Sequence, residues 1–237
     1  MRGHIPNTIT SLNLLCGVLG VIFACDSRFD IAFFLMLGAA VADFLDGLSA
    51  RLLHAYSDKG KELDSLADVV SFGVLPAVML VQFMRISTFS DSVFCYVPAL
   101  LAVCTGLRLA AFNVDDRQHD SFLGLPAPAS ALLCGALCYF MVHENGNFLA
   151  VWACGYVFLP LFALALGALM LCELPMFSFK FGKGDSKITV RKRLAFVLNV
   201  LIAAVIVAAL GLDWSLVIVL AIVIYILMNA VFAAAKI

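Results

Sequence analysis

The chain has 237 residues, of which 64% are hydrophobic and 13% are charged, and its formal net charge is −1. Soluble domains have about 45–50% apolar and about 25% charged residues, so this composition excludes an ordinary soluble fold and makes the bilayer the expected solvent. The small net charge says little about nucleic acid, but the sequence has no platform of alternating basic and aromatic residues, and we expect no nucleic-acid partner.

Eight apolar segments approach the roughly 20 residues that a helix needs to cross the hydrocarbon core. Segments of this length favour helices over the short alternating strands of a barrel, so an all-α transmembrane bundle of about eight spans is expected. No linker or repeat divides the chain, which predicts one membrane-embedded domain over residues 1–237. The predicted spans are 8–25, 30–54, 63–84, 93–112, 126–142, 148–171, 193–211 and 214–235.

The basic residues predict the orientation of the bundle. With eight spans both termini lie on one side, and a six-span reading would also keep them together. Of the 15 lysines and arginines, all except Arg28 and Arg85 fall on the side of the termini, which the positive-inside rule places in the cytoplasm.

A charged stretch interrupts this apolar pattern at residues 43–70, "DFLDGLSARLLHAYSDKGKELDSLADVV". At 100° per residue, one face of the second helix carries Asp43, Asp46, Gly47, Ala50 and Arg51 within about 140°. Asp64 and Asp68 are one turn apart near the start of the third helix. With a turn at Gly60, two antiparallel helices would bring the four carboxylates together.

Four carboxylates in a partly dehydrated site require cations to remain ionised. Oxygen ligands of this kind suit Mg²⁺ or Mn²⁺, with Ca²⁺ as a further possibility, and four of them can hold two ions. The small residues Gly47, Ala50 and Gly60 would leave the floor of the site open to a bulky ligand. Intramembrane acidic clusters of this kind are functional sites by default.

The same residues carry a family resemblance. The stretch from Asp43 to Asp68 matches DxxDGxxARx₈GxxxDxxxD at every fixed position, and the chain is therefore similar to the CDP-alcohol phosphatidyltransferases. "IPNTIT", "LDSLADVVSFG", "GLRLAAFN", "FLGLPAPASA" and "LPMFSF" resemble stretches of the integral-membrane members whose acceptor is L-serine. One difference is Ala111, where that subgroup usually has a second arginine. The resemblance is weak over the last two spans, which predicts a catalytic core at about 1–175 followed by two further spans at about 193–235.

The resemblance implies a reaction in which CDP-diacylglycerol and L-serine give phosphatidylserine and CMP. It implies that Asp43, Asp46 and Asp64 are metal ligands, and that Asp68 is both a ligand and the general base for the serine hydroxyl. The residues implied to hold the cytidine diphosphate group are Asn7, Thr10, Gly47, Ala50, Arg51, Ser57 and Gly60.

The acceptor site is defined less closely by the sequence. Arg108 is a solitary arginine near the cytoplasmic end of the fourth span, where it could bind the serine carboxylate, form a structural ion pair or extend to the membrane surface. Asn113 and Lys180 are further candidates for acceptor binding.

Two alternative functions are open at this point. One is an enzyme of the same family with glycerol phosphate or inositol phosphate as acceptor, although such acceptors would favour a more basic pocket. The other is a cation transporter, although its acidic residues would be expected at mid-membrane on broken helices. For an enzyme of this family the resemblance implies a homodimer surrounded by membrane lipids. The basic residues predict that the acidic stretch, and with it the active site, lies at the cytoplasmic face of the cell (inner) membrane.

Overall fold

A computed structural model describes residues 4–88, 92–114, 122–144, 157–176 and 187–234. These parts of the chain contain eight helices and one pair of two-residue antiparallel strands, β1 and β2. Their bounds are α1 His4–Cys25, α2 Phe29–Leu52, α3 Asp58–Thr88, α4 Val93–Val114, β1 Phe122–Leu123, α5 Ala127–His143, α6 Phe158–Leu171, β2 Pro175–Met176, α7 Lys187–Ala209 and α8 Ser215–Ala234.

The predicted all-α membrane bundle is confirmed within these ranges. Six of the helices (α1–α4, α7 and α8) are long and apolar enough to span a bilayer, and α5 and α6 are shorter apolar helices. Each of the eight segments expected from the sequence contains one helix.

Several boundaries differ from the predicted ones by a few residues, among them the starts of α3 and α7. α3 begins at Asp58 rather than at residue 63, so Gly60 lies in its first turn and not in a turn before it. The cause is Ser57, an N-cap residue whose Oγ accepts a hydrogen bond from the Gly60 N–H at 3.0 Å. An N-cap of this kind satisfies one of the orphan amides of the first turn and fixes where the helix starts. α7 begins at Lys187, so the basic run before residue 193 is helical.

Glycines on α1 allow it to lie close against α3. A Cβ at Gly17 would overlap the side chain of Ser71, and a Cβ at Gly20 would lie 2.6 Å from a methyl group of Leu75. Small residues at such positions let helix backbones approach closely in a membrane, where packing replaces the hydrophobic effect as the source of association. The contact fixes the start of α1 beside the start of α3.

α3 changes its helical geometry directly after Asp68. It is α-helical over Asp58–Asp68, π-helical over Val69–Val74 and α-helical again over Leu75–Thr88. π-helical turns are rare and occur frequently at functional sites, since they locally rotate the side chains of a helix relative to its axis. Here the π-helical turn lies between the last aspartate of the charged stretch and the apolar part of α3.

α5 lies at the centre of the bundle. Most of its residues from Ala127 to Met141 are buried, and it contacts α2, α3 and α8. A helix that is apolar on every side is suited to such a position because it has no polar face to orient. The buried core therefore continues from α5 towards α2 and α3, which carry the four aspartates.

Candidate active site

The predicted cluster of carboxylates forms where α2 ends and α3 begins. Asp43 and Asp46 lie in the last three turns of α2, and Asp64 and Asp68 lie in the α-helical start of α3. One carboxylate oxygen each from Asp43, Asp64 and Asp68 lies within 4.8 Å of the other two. This spacing is compatible with shared coordination of a cation, since ligand oxygens around a hard divalent ion are 2.0–2.6 Å from it.

Asp46 is not part of that mutual set of three. It is buried, with 6% of its surface exposed, and it is close enough to interact electrostatically with Asp43, Asp64 and Asp68. The Thr10 side chain and the Gly47 backbone amide are next to its carboxylate. The Thr10 hydroxyl is also 3.0 Å from the carbonyl oxygen of Pro6, and its single proton can go to only one of these acceptors. Asp46 therefore borders the cluster on the side of α1.

Two carboxylate oxygens at this site have surroundings that favour cation binding. Oδ2 of Asp46 and Oδ1 of Asp64 are buried and have no hydrogen-bond partner among the described residues. A buried acceptor without a donor is costly, and buried charges are normally paired or bound to metal. Anionic oxygens as the ligand atoms suit Mg²⁺, Mn²⁺ or Ca²⁺ rather than a softer metal. The donor set therefore fits the predicted divalent cations.

A cleft of about 430 Å³ opens beside the carboxylates, between the start of α1, the end of α2 and the start of α3. Six of the seven residues predicted to hold a nucleotide contribute to its wall, together with Asp46 and Asp64. Its lining residues are Pro6, Asn7, Thr10, Asp46, Gly47, Ala50, Ala55, Tyr56, Ser57, Asp58, Gly60, Lys61 and Asp64.

The cleft has free space beside Gly47 of α2, whereas the space beside Gly60 of α3 is filled by neighbouring side chains. A Cβ added to Gly47 would meet no atom within 4 Å, whereas one added to Gly60 would lie 3.0 Å from Ser57 Oγ and 3.2 Å from Asn7 Oδ1. Gly47 thus leaves space that a ligand could fill. Gly60 instead allows α1 and the start of α3 to approach each other. The first turn of α3 also presents backbone amides, which suit a phosphate group.

Arg51, the seventh predicted nucleotide residue, is not part of the cleft wall. It lies in the last turn of α2 and is exposed. Its long side chain can occupy a different position when a ligand is bound, but its contact with a nucleotide stays a prediction.

Two of the three acceptor candidates, Arg108 and Asn113, lie on α4. Arg108 is buried, with 9% exposure, and its Nε has no hydrogen-bond partner among the described residues. It interacts electrostatically with Asp68 and with Tyr225 of α8. This places a buried guanidinium on the same side of the bundle as the carboxylates.

Asn113 lies near the end of α4 and is bonded to α3. Its Nδ2 donates to Ser65 Oγ at 2.8 Å, and its carbonyl oxygen accepts from Lys61 Nζ at 3.0 Å. These contacts fasten α4 to α3 beside the cleft. Lys180 lies outside the described residues.

Lys61, Asn13 and Tyr225 are among the residues that the structure brings to this region and that sequence reasoning missed. Lys61 lines the cleft, Asn13 of α1 donates from Nδ2 to Asp68 Oδ1 at 3.1 Å, and Tyr225 lies near Arg108. The signal for Asn13 was a polar residue inside an apolar span, one helical turn after Thr10. In the sequence, Lys61 could not be distinguished from a solvated charge. Tyr225 could not be distinguished from an ordinary aromatic residue of a membrane span.

Together the fold and the site define a helical membrane protein with a cluster of carboxylates that suits divalent cations, next to a cleft large enough for a ligand. The family model for CDP-alcohol phosphatidyltransferase matches residues 3–172. The chain belongs to this family, and the resemblance inferred from the charged stretch is confirmed.

Curated relatives extend the comparison. The chain is 37% identical over 181 residues to a protein of Mycobacterium bovis, covering 73% of this chain and 60% of the relative. It is 32% identical over 185 residues to one of Helicobacter pylori, covering 77% and 76%, and 31% identical over 170 residues to one of Methanocaldococcus jannaschii, covering 72% of each. All three relatives are named CDP-diacylglycerol–serine O-phosphatidyltransferase. The chain spans about 60% of the length of the mycobacterial relative.

Proposed function

We propose that this protein transfers the phosphatidyl group of CDP-diacylglycerol to L-serine, giving phosphatidylserine and CMP. The observation that carries this proposal is the position of the carboxylate cluster next to the cleft. The carboxylate oxygens of Asp43, Asp64 and Asp68 lie within 4.8 Å of one another. The cleft is lined by six of the residues implied to hold the cytidine diphosphate group. The names of the relatives support L-serine as the acceptor.

In this mechanism the cleft holds the cytidine diphosphate group. The backbone amides at the start of α3 and the Lys61 ammonium would bind its phosphates, and the space above Gly47 would take part of the nucleotide. The acyl chains would extend into the surrounding lipid. Arg51 would close over the bound diphosphate with its planar set of donors.

Asp43, Asp46, Asp64 and Asp68 would hold two divalent cations, with Mg²⁺ or Mn²⁺ preferred over Ca²⁺. When bound, these ions supply the positive charge that a diphosphate needs in order to be attacked and to release CMP. The carboxylates provide the negative charge that retains them.

Asp68 would accept the proton of the serine hydroxyl. The serine oxygen forms a bond to the phosphorus of the phosphatidyl group, and the bond from that phosphorus to the oxygen it shares with CMP breaks. CMP leaves with that oxygen, so no oxidant, reductant or further reactant is needed. Asp68 suits the role of proton acceptor because it is 8% exposed and is a member of the cluster that interacts electrostatically with the buried Arg108.

The proposed setting is the cell (inner) membrane, with both termini and the active site on the cytoplasmic side. The site lies at the end of the bundle where α1 begins and α4 ends, and the same end carries Arg51, Lys59 and Lys61. This concentration of basic residues supports the cytoplasmic placement. A homodimer in the membrane is part of the proposal on the family resemblance.

The proposed reaction is tested with purified protein, CDP-diacylglycerol and a panel of acceptors, scored by CMP release and by the lipid product. L-serine should give phosphatidylserine at a rate at least about a hundred-fold above that with glycerol phosphate or inositol phosphate. A preference for a phosphorylated acceptor would replace L-serine and keep the enzyme class. A cation flux in proteoliposomes without CMP release would instead support a transporter.

Gly47→Ala should weaken binding of CDP-diacylglycerol without harming the fold. A Cβ at Gly47 meets no protein atom within 4 Å, and replacing a helix-interior glycine by alanine stabilises a helix by about 1 kcal/mol. The melting temperature should therefore stay the same or rise, while the KM for CDP-diacylglycerol increases by about five-fold or more.

Gly17→Ala is the matched control for that substitution, because its Cβ would overlap Ser71 in the interface of α1 with α3. It should lower the melting temperature. A Gly47→Ala protein with an unchanged KM for CDP-diacylglycerol would show that the lipid nucleotide does not lie against α2.

Arg108→Ala should selectively weaken the binding of L-serine. A charge-assisted contact to the serine carboxylate contributes about 1.5–3 kcal/mol, so the serine KM should rise by about ten- to a hundred-fold. The KM for CDP-diacylglycerol should stay within a few-fold, since Arg108 does not line the nucleotide cleft. Arg108→Lys should recover only part of the loss because an ammonium lacks bidentate geometry.

Both constants are measured on folded, detergent-purified protein. An unchanged serine KM, accompanied by a lower melting temperature, would assign Arg108 a structural role in the core instead.

A further inference from the structure

Asn13 is a fully buried polar residue in the middle of the apolar α1. Its Nδ2 donates to Asp68 Oδ1 at 3.1 Å. This assignment of the amide is the chemically consistent one, because an ionised carboxylate only accepts and the amide oxygen could not bond to it. Asn13 is thus in direct contact with the proposed general base.

The position of Asn13 is itself held by α3. Its backbone carbonyl accepts a hydrogen bond from Ser71 Oγ at 3.1 Å, and Ser71 lies in the π-helical turn that follows Asp68. Gly17, one turn further along α1, leaves no space for a Cβ against Ser71. Asn13 therefore approaches Asp68 from α1, and α1 is held against α3 by contacts with Ser71, about one helical turn after Asp68.

A further observation points to a role beyond packing. The Oδ1 atom of Asn13 is buried and has no hydrogen-bond partner among the described residues. A buried amide oxygen without a donor costs stability, so an asparagine at this site is unfavourable unless its amide serves another purpose. An apolar side chain of the same size would pack in the same place at lower cost.

We infer that Asn13 is a positioning residue for Asp68. The amide holds Oδ1 of the Asp68 carboxylate in one orientation, which leaves Oδ2 free for a cation or for the acceptor hydroxyl. Hydrogen-bond partners of metal-ligating and catalytic carboxylates fix their orientation, and removing them typically costs 10–100-fold in metal affinity or activity. This role rests on the proposed function of Asp68.

The test is Asn13→Leu, which keeps the number and branching of the side-chain heavy atoms of asparagine and removes the donor. The kcat with L-serine should fall by about 10–100-fold. The KM for CDP-diacylglycerol should stay within about three-fold, because Asn13 does not contribute to the cleft wall. The affinity for Mn²⁺, titrated by electron paramagnetic resonance without substrates, should also fall by about ten-fold.

Ser71→Ala is the matched control. It removes a buried hydrogen bond to the Asn13 backbone without removing a contact to the Asp68 carboxylate. The close packing of Gly17 against the backbone of α3 remains in this variant and keeps α1 in place. It should lower the melting temperature while kcat and the Mn²⁺ affinity stay within about three-fold. If Asn13→Leu does not fold, Asn13→Ala is measured in its place. It should likewise lower kcat and leave the KM for CDP-diacylglycerol nearly unchanged.

A folded Asn13 variant with kcat and Mn²⁺ affinity within three-fold of wild type would overturn the inference. Equal losses of kcat in the Asn13 and Ser71 variants would also overturn it, since both would then act through the interface. The Mn²⁺ titration separates this failure from a failure of the proposed function: if wild-type protein made no phosphatidylserine, the ratio of Mn²⁺ affinities would still report on Asn13.

Discussion

Excess EDTA is expected to reduce CMP release from CDP-diacylglycerol and L-serine to background, and added Mg²⁺ or Mn²⁺ is expected to restore it. Ionised carboxylates within 4.8 Å of one another repel by roughly 3 kcal/mol per pair at an effective dielectric constant of 20. The diphosphate of the substrate would add further negative charge beside them. Without cations the cluster would take up protons or exclude the substrate, and either outcome stops turnover.

The control for chelation is EDTA that has been saturated with Mg²⁺ beforehand, which has a similar effect on the detergent and leaves free Mg²⁺ unchanged. This reagent should not inhibit. Full turnover in excess EDTA, with metal content confirmed as nil by mass spectrometry, would contradict a metal-dependent reaction and would remove the proposed ligand role of the four aspartates.

The proximity of Asp43, Asp64 and Asp68 could be expected from the sequence because the geometry of the charged stretch is local. Asp43 and Asp46 are three residues apart on one helix, and Asp64 and Asp68 are four apart on the next, so helical periodicity alone places each pair on one face. The chain between the pairs is too short to separate the helices widely. The convergence of Asp43, Asp64 and Asp68 therefore follows from the sequence, whereas the separate position of Asp46 depends on how α2 is rotated against α1.

Some of the residues that line the cleft could be predicted from the sequence. Residues on α2 and the start of α3 belong to one continuous motif, which explains why Gly47, Ala50 and Gly60 were found. The sequence pattern places the start of α3 too late, because the charged residues after Ser57 mask its role as an N-cap. A helix that begins with charged residues is compatible with a cytoplasmic surface, where water satisfies them.

The contacts across helices could not be predicted in this way. Asn13 and Asp68 are 55 positions apart, and their contact depends on the depth at which Gly17 and Gly20 allow α1 to approach α3. The proximity of Tyr225 to Arg108 depends on the packing of α8, a helix outside the residues that the family model matches. Amino-acid periodicity defines the face of a helix but not which partner lies opposite that face.

Asp68→Asn is expected to lower kcat by roughly 10²–10⁴-fold, the usual contribution of a positioned general base. The substitution keeps the shape of the side chain and an oxygen that can accept the Asn13 amide hydrogen bond, so its effect isolates the loss of charge and of proton acceptance. CDP-diacylglycerol should still bind, because Asp68 does not line the cleft and Asp43, Asp46 and Asp64 remain. Equilibrium binding of the radiolabelled lipid nucleotide and stopped-time CMP release measure the two quantities separately.

Asp30→Asn is the matched control, since Asp30 is exposed in the first turn of α2, at the end of that helix distant from the cluster. It should leave kcat within about two-fold of wild type. If Asp68→Asn kept near-normal turnover, the proton would have to pass to another residue or to water, and Asp68 would be left with a ligand role only. If Asp68→Asn instead lost lipid nucleotide binding and turnover together, the carboxylate would act mainly by retaining cations. Retained binding with a large loss of kcat places the role of Asp68 in the chemical step, as expected for the base.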